Sequence, residues 1–291
     1  MFWILYAFLW LLMWLPLPLL YPLSDLCALL MYHVIRYRRK LVHKNLCYSF
    51  PDKTSKEIRR MEWKVYRNFV DVMIESMYSI HMSKSEIKKR LTYSGKEVLD
   101  EALAKKQACF IMTAHYGNYE WLTGAKLSFE KDYNYFTIYR ALSNKHFDKI
   151  MMDVRQRRHN INIEMHDLMR QLEKNHQAGV TGFYGMIADQ KPSRKNPSRW
   201  HWTTFLGQDT PFLTGTEYLA KKYDYAVIYA RMSKLGRGRY HCHLEMLCDE
   251  PTLTAPGEIT EKYARLLEQD LMAAPEAWLW THNRWKYRKD L

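Results

Sequence analysis

Hydrophobic residues recur every three to four positions between residues 56 and 80, with basic residues on the opposite side. This spacing predicts an amphipathic helix that buries one face against a core. The apolar positions are Ile58, Met61, Val65, Phe69, Val72 and Met73. A similar stretch at 258–274 predicts a second amphipathic helix. Shorter helices are predicted over 94–106, 144–158 and 214–223.

Short apolar runs between these helices are typical of buried strands. They predict strands within 107–114, 133–141, 179–190, 224–232 and 236–248. Because strands alternate with helices, the pattern indicates an α/β fold with a mostly parallel sheet flanked by helices. The 291-residue chain has neither an internal repeat nor a clear linker. We therefore expect one catalytic-size domain over residues 36–291.

The N-terminal segment, residues 1–35, is hydrophobic. Residues 1–24 carry no charged side chain, and they are long enough to cross a bilayer. Three prolines in this stretch would end or kink a straight helix after Leu15, and a second apolar run follows at 26–35. A single tilted span and a hairpin-like interfacial insertion are therefore both open.

A basic segment, RYRRKLVHK at 36–44, follows directly and holds five Lys or Arg residues. A basic cluster beside an apolar segment is typical of the cytoplasmic side of a membrane and favours anionic headgroups. A cleaved signal peptide is not expected, because no basic stretch precedes the apolar run and no small-residue cleavage site follows it. We predict a hydrophobic membrane anchor at 1–35 and a catalytic domain on the cytoplasmic side, with a solvated helix face as the alternative interpretation of 36–44.

The overall charge predicts an acidic partner. The net charge is +13, and the isoelectric point is about 9.4. Nucleic acid, an anionic membrane surface and an acidic carrier protein all fit this charge, which does not choose among them. A charged fraction of 26% together with a hydrophobic fraction of 47% argues against disorder.

The five cysteines are odd in number and have no CxxC spacing, which indicates a reducing compartment without a disulfide framework. The stretch YHCHLEMLC at 240–248 invites a metal interpretation. Strand alternation, however, places His241 and His243 on one face and Cys242 on the other. No third ligand is apparent nearby, so no metal site is predicted.

The sequence TAHYGNYEW at 113–121 carries the strongest candidate chemistry. His115 lies at the carboxyl end of a predicted strand, where open α/β sheets place functional groups. Gly117 and Asn118 predict a turn, and a helix beginning near Tyr119 would let Glu120 fold back toward the imidazole. Such a pair is a general base oriented by an acid. By spacing alone, a structural histidine with an unrelated glutamate is the more common explanation, and the rest of the chain is what favours the catalytic pair.

Polar groups also follow other predicted strands. Arg140 closes one strand and is followed by Asn144, while Asp189 and Gln190 close another. Arg231 closes a third. Thr210 and Pro211 precede a predicted helix start at Thr214-Gly215. Together these positions predict a polar site at the strand ends.

Ordered segments of the chain resemble one enzyme family. They are the apolar N-terminus, RRKLVHKNLCYSFPDKTSKEIRRM (38–61), HYGNYE (115–120), YRALSNK (139–145), ADQKPS (188–193), TPFLTGTEYLA (210–220) and APEAWLWTHNRWK (274–286). In order and spacing the chain resembles the bacterial lipid A biosynthesis acyltransferases. These are the late, lauroyl/myristoyl-type enzymes of the lysophospholipid acyltransferase superfamily.

The resemblance implies acyl transfer from an acyl-carrier-protein thioester, or from acyl-CoA, to a hydroxyl of a lipid A precursor at the inner membrane. His115 matches the family's catalytic histidine and Glu120 its partner. Arg140 is the candidate for stabilising the oxyanion or binding a lipid phosphate. Asp189 matches a position that supports the site. Further candidates for substrate binding are Asn144, Gln190 and Arg231.

The resemblance requires no metal or other cofactor, and it leaves alternatives open. The basic stretch at 191–195 departs from the more acidic pattern that many members have there, which puts the choice of acceptor or donor in doubt. Phosphatidylinositol mannoside, ornithine lipid or lysophospholipid are alternative acceptors. A basic nucleic-acid-binding protein would leave the uncharged N-terminus unexplained, so no nucleic acid is predicted. An inactive membrane-anchored binding or scaffold protein is the other alternative.

Overall fold

The computed structural model describes residues 10–129, 131–141, 148, 160–194 and 197–287. The strands are β1 (Leu91–Ser94), β2 (Ala108–Thr113), β3 (Asn134–Tyr139), β4 (Ile161–Glu164), β5 (Gly182–Ile187), β6 (Trp200–Phe205), β7 (Gln208–Leu213), β8 (Ala226–Gly236) and β9 (Arg239–Cys248). The α-helices are α1 (Leu17–Leu29), α2 (Arg39–Ser49), α3 (Ser55–Tyr78), α4 (Lys84–Arg90), α5 (Lys96–Lys105), α6 (Leu168–Gln177), α7 (Gly215–Tyr223) and α8 (Glu258–Ala273).

A central seven-stranded sheet has the order β1–β9–β8–β2–β5–β3–β4. Neighbouring strands run parallel except β8 and β9, which form an antiparallel hairpin. All six residues of β2 are buried, as expected for a strand with both faces covered. The predicted α/β class and mostly parallel sheet are therefore confirmed.

Four strands were not predicted. β1 and β4 are only four residues long, which is too short for periodicity to reveal. β6 and β7 form a separate antiparallel hairpin, so Thr210 and Pro211 lie inside a strand rather than just before a helix start. The predicted helix over 144–158, apart from residue 148, lies outside the described residues.

The helix predicted to begin near Tyr119 is a 3-10 helix, Tyr119–Ser128. The predicted amphipathic helices are confirmed as α3 and α8. The side of α3 that faces the protein is more polar than the sequence pattern suggests, because Glu62, Asp71 and Glu75 are buried whereas Met73 is 43% exposed. Hydrogen bonds from other elements account for this difference and are described below.

The N-terminal helix is interrupted after Leu15, as the prolines predict, although α1 itself continues through Pro18 and Pro22. After residue 15 the chain restarts as α1, with Pro16 as the preceding residue, and α1 continues as a π-helical turn, Leu30–Ile35. Among the described residues, Leu17–Ile35 is a helical segment that is both long enough and apolar enough to cross a membrane. It packs along α3, with Leu17, Leu20 and Ala28 fully buried.

Candidate active site

His115 and Asp189 meet because of strand register. β2 and β5 run parallel with Thr113 opposite Ile187, and each of the two side chains lies two residues beyond that pair. Their carboxyl ends therefore bring the imidazole and the carboxylate together at one edge of the sheet. His115 Nδ1 is 2.7 Å from Asp189 Oδ1.

The C-terminal tail holds the loop that carries His115. Tyr116 forms an isolated antiparallel bridge with Trp278, the Gly117 amide donates to the carbonyl of Ala277, and the Leu279 amide donates to the carbonyl of His115. Gly117 has a φ of +58°, a conformation that glycine adopts without strain. The tail thus fixes the backbone on both sides of the imidazole.

Asp189 is buried, with 2% of its surface exposed. Its second oxygen accepts a hydrogen bond from the indole N–H of Trp278 at 2.8 Å. Burial alone would raise the pKa of this carboxyl, but the interactions with His115 and Trp278 outweigh burial and lower the pKa below its ordinary value. Asp189 is therefore held ionised next to the imidazole.

The surroundings of His115 make its imidazole a stronger base. Burial lowers its pKa, but the charge and hydrogen bond of Asp189, with a further contribution from the charge of Glu120, raise the pKa above the ordinary value. Its Nε2 lies 3.2 Å from the side-chain nitrogen of Gln190. In the neutral imidazole, Nδ1–H donates to Asp189 and Nε2 accepts from Gln190, so the Nε2 lone pair is the one available to take a proton.

An apolar cavity adjoins the pair. Tyr119, whose ring centre is 4.8 Å from that of His115, lines it together with Glu120 and Thr113. The cavity then follows one face of the sheet along alternate residues of several strands. These are Ile111, Tyr135, Thr137, Tyr139, Phe183, Gly185, Ile187, Ala230, Cys242 and Leu244. Its empty volume is about 690 Å³ with the open mouth included.

A base held by a carboxylate beside an apolar cavity suits transfer chemistry on a lipid or acyl substrate. A family model described as bacterial lipid A biosynthesis acyltransferase matches residues 1–287 of this chain. The chain belongs to that family. The lipid A biosynthesis lauroyltransferase of Escherichia coli (strain K12) is 26% identical over 294 residues, which cover 99% of this chain and 92% of the relative.

The resemblance described above predicts Glu120 as the partner of His115. It lies on the 3-10 helix, lines the cavity, and acts on the pKa of His115 through its charge. The hydrogen bond described at Nδ1 of His115 goes to Asp189 instead. The catalytic roles assigned to His115 and Glu120 in this acyltransferase stay predictions.

The other predicted site residues differ in their contacts and exposure. Gln190 contacts the imidazole. Arg140 follows β3 at the same sheet edge and is exposed. Arg231 forms ion pairs with Glu245 at 2.9 Å and with Asp270, which ties β8 to β9 and α8. Asn144 lies outside the described residues.

The two histidines of 240–248 contact a serine hydroxyl. In β9, Cys242 is buried, while His241 is partly exposed and His243 exposed on the other face. Both imidazoles contact the hydroxyl of Ser94, at 2.8 and 2.9 Å. In the part of the chain that the structure describes, no three His, Cys, Asp or Glu side chains converge on a metal position.

Two side chains of the C-terminal tail near the site, Trp278 and Arg284, were not singled out from the sequence. Trp278 binds Asp189, as described. Arg284 is fully buried, donates to the carbonyl of Pro211 at 2.8 Å and stacks 4.4 Å from the centre of the Phe212 ring. Burial lowers its pKa to about 10, against the opposing charge of Asp189. It therefore remains a cation near neutral pH, adding to the positive field around the Asp189 carboxylate.

A buried carboxylate also supports the loop after His115. Glu75 of α3 is fully buried and accepts hydrogen bonds from the Asn118 amide at 3.0 Å and the Tyr240 hydroxyl at 2.7 Å. Its other oxygen accepts from the Gly238 amide at 2.8 Å and the Tyr21 hydroxyl at 3.1 Å. One side chain thus links the loop that follows His115, the β8–β9 hairpin and α1. The sequence signal was an acidic residue on the apolar side of an amphipathic helix.

Proposed function

We propose that this acyltransferase moves a fatty acyl chain from an acyl-carrier-protein thioester to a hydroxyl of a lipid A precursor, with His115 as general base. The observation that carries the proposal is the His115–Asp189 pair at the sheet edge, beside the apolar cavity. Family membership supports the acyl transfer and the lipid A type of substrate. The donor and the base are part of the proposal.

In the proposed reaction, Nε2 of His115 removes the proton from the acceptor hydroxyl as its oxygen attacks the thioester carbonyl. The tetrahedral intermediate then expels the carrier thiolate, which takes the proton back from the imidazolium, so an ester and a free thiol result. Asp189 stabilises the imidazolium and keeps the proton-bearing Nδ1 turned away from the substrate. Before attack, the acceptor hydroxyl takes the place of the Gln190 amide at Nε2.

The acyl chain would occupy the apolar cavity, which is lined by one face of the sheet and by the 3-10 helix. Desolvation of the chain there favours binding by about 0.8 kcal/mol per methylene. Arg140, exposed at the same sheet edge, is the candidate cation for the oxyanion or for a phosphate of the acceptor. Asn144, Gln190 and Arg231 remain candidates for substrate binding, Arg231 with the ion pairs already described.

The net charge of +13 suits both an acidic carrier protein and an anionic membrane surface. We place the enzyme at the inner membrane, with its catalytic domain on the cytoplasmic side, where the basic segment 36–44 would face anionic headgroups. Acyl-CoA is the alternative donor. Phosphatidylinositol mannoside, ornithine lipid or a lysophospholipid is the alternative acceptor.

Acyl transfer by purified, detergent-solubilised protein tests the proposal. The assay would follow label from acyl-carrier protein to a lipid A precursor for the wild type, His115→Ala and His241→Ala. His241→Ala is the control, because this imidazole lies on the face of β9 opposite the cavity-lining Cys242. We expect transfer by the wild type and the control, and its loss in His115→Ala. Equal transfer by His115→Ala would reject the base, and transfer only to another lipid would reject the acceptor.

A further inference from the structure

The anchor segment has two faces of opposite character. Toward the protein it buries Leu17, Leu20, Ser24 and Ala28 of α1, which recur at helical spacing. The opposite face leaves large apolar side chains in solvent. They are Leu11, Trp14, Leu15, Leu19, Leu26, Leu29, Leu30, Val34 and Ile35, each at least 41% exposed. A contiguous exposed apolar face of this size marks an interaction surface.

Hydroxyl groups of the anchor bind buried carboxylates of α3 at three levels. Ser24 donates to Asp71 at 2.7 Å, Tyr32 donates to Glu62 at 2.9 Å, and Tyr21 makes the bond to Glu75 already described. The order of these contacts shows that the two helices run antiparallel along their lengths. The anchor is therefore docked side-on onto the catalytic domain.

An ionic network strengthens the middle of this contact. Arg237, in the β8–β9 hairpin, binds both carboxylate oxygens of Asp25, at 2.6 and 2.9 Å. It also binds Asp71 at 2.8 and 2.9 Å. Arg67 of α3 adds a bond to Asp25 at 2.9 Å, and Lys234 approaches Asp71 at 3.3 Å. We call these five side chains the Asp25 network.

The Asp25 network is incompatible with a membrane-crossing Leu17–Ile35. Asp25 is the ninth of the 19 residues in this segment, so it would lie near the bilayer midplane. The docked α3 and hairpin would bring Arg67, Asp71 and Arg237 to the same depth, where charged side chains are very costly. A crossing helix that left α3 and the hairpin outside the bilayer would break the bonds of Arg67 and Arg237 to Asp25. A helix lying in the interface keeps these bonds on its protein side.

The charge around the exposed face suits an anionic lipid surface. The basic segment 36–44 begins directly after the apolar face, and its Arg36, Arg38, Lys40 and Lys44 are exposed. Arg237, which binds Asp25, lies in the turn between β8 and β9. This turn is at the carboxyl end of β8, and His115 and Asp189 lie at the same end of the sheet. The lipid-facing side and the active site are thus at the same end of the sheet.

We propose that residues 11–35 lie in the plane of the membrane interface, with the exposed apolar face in lipid and the Asp25 network on the protein side. The partner surface is a bilayer with anionic headgroups. The protein then binds one leaflet without crossing it, and the sheet edge that carries His115 faces that leaflet. This inference goes beyond the proposed reaction and does not depend on the donor or the acceptor.

Depth measurements on lipid-bound full-length protein test the proposal. Nitroxide labels would be placed one at a time at Leu19→Cys, Leu26→Cys and Val34→Cys, with Cys27 and Cys47 changed to alanine. Vesicles of phosphatidylethanolamine and phosphatidylglycerol would carry the protein, and collisional relaxation by oxygen and by a water-soluble nickel chelate would report depth. An interfacial helix places all three labels at one shallow depth of about 5–10 Å.

A crossing helix gives a different profile. Labels at residues 19 and 34 would be separated by about 22 Å along the axis, with residue 26 deepest and the two others near opposite surfaces. That profile, or three labels exposed to water, would overturn the proposal. Leu253→Cys is the matched control, because this leucine is 78% exposed and follows β9 at the other end of the β8–β9 hairpin, so its label should contact water only.

Discussion

At the level of single residues, the partner of His115 is set by strand register. Asp189 contacts the imidazole because β2 and β5 pair in parallel with Thr113 opposite Ile187. Glu120 is nearer in sequence, but it follows a turn and lies on a 3-10 helix that lines the cavity. Two carboxylates therefore act on one imidazole, one through a hydrogen bond and the other through its charge.

Asp189→Asn should lower kcat by on the order of 10²-fold to 10⁴-fold, because the imidazolium loses its buried counter-charge and the neutral imidazole loses its fixed tautomer. Acyl transfer assays with saturating donor would measure this loss. Asp167→Asn, an exposed carboxylate paired with Arg170, is the control and should retain activity. A kcat for Asp189→Asn within a few-fold of the wild type would show that Asp189 does not support the base.

The pH dependence of kcat/KM should report the raised pKa of His115. A general base is active when deprotonated, so the rate should rise with pH through a pKa above the ordinary histidine value of about 6.5. In Glu120→Gln, loss of a nearby negative charge makes the imidazolium easier to deprotonate, and this rising limb should move to lower pH. An unchanged limb in this variant would exclude an electrostatic effect of Glu120 on the base.

At the level of elements, alternate residues of the sheet shape the cavity. Gly185 is one of its lining residues, and a Cβ added there would lie 3.0 Å from the Tyr135 hydroxyl. The absence of a side chain at this position on β5 therefore keeps space open against Tyr135. The sequence showed only a glycine within a predicted strand.

Gly185→Val should narrow the cavity and select against long acyl chains. Valine suits a strand conformation, so the main effect should fall on substrate binding rather than on the fold. We expect kcat/KM for long-chain donors to fall at least 10-fold more than for short-chain donors, a difference of about 1.4 kcal/mol. The short-chain donors serve as the internal control. Equal losses at every chain length would show that the acyl chain does not pass Gly185.

The sequence predicted the elements that repeat a strong pattern and missed those fixed by tertiary contacts. β2 and α8 were predicted because a fully apolar run and a helical period identify them without knowledge of their neighbours. The β6–β7 hairpin was missed because Thr210 and Pro211 were interpreted as preceding a helix start, and because the two strands pair only with each other, outside the seven-stranded sheet. His115 could be predicted from its place after β2, but its hydrogen bond to Asp189 depends on the order of strands, which one sequence does not reveal.

At the level of the whole molecule, the boundary predicted at residue 35 does not separate two independent packing units. Tyr21, Ser24 and Tyr32 bind buried carboxylates of α3. One of these carboxylates, Glu75, also binds Asn118 in the loop after His115. The polar side chains of α3 are buried because the anchor covers them. The anchor is thus a structural layer of the catalytic domain as well as the proposed lipid-binding face.

Deletion of residues 1–35 should therefore destabilise the remaining chain instead of releasing a stable soluble domain. It removes fully buried Leu17 and Leu20, each worth about 1.5–3 kcal/mol of burial, and it leaves Asp71 and Arg237 without Asp25 and Ser24.

The double variant Leu19→Ser/Leu26→Ser is the matched comparison, because both leucines are more than half exposed. Thermal unfolding in detergent should give a Tm near wild type for the double variant and a large decrease, or no cooperative transition, for the deletion. A deletion protein with a wild-type Tm would show that the packing of the anchor on α3 contributes little to the fold, and that residues 36–291 form the autonomous domain expected from the sequence.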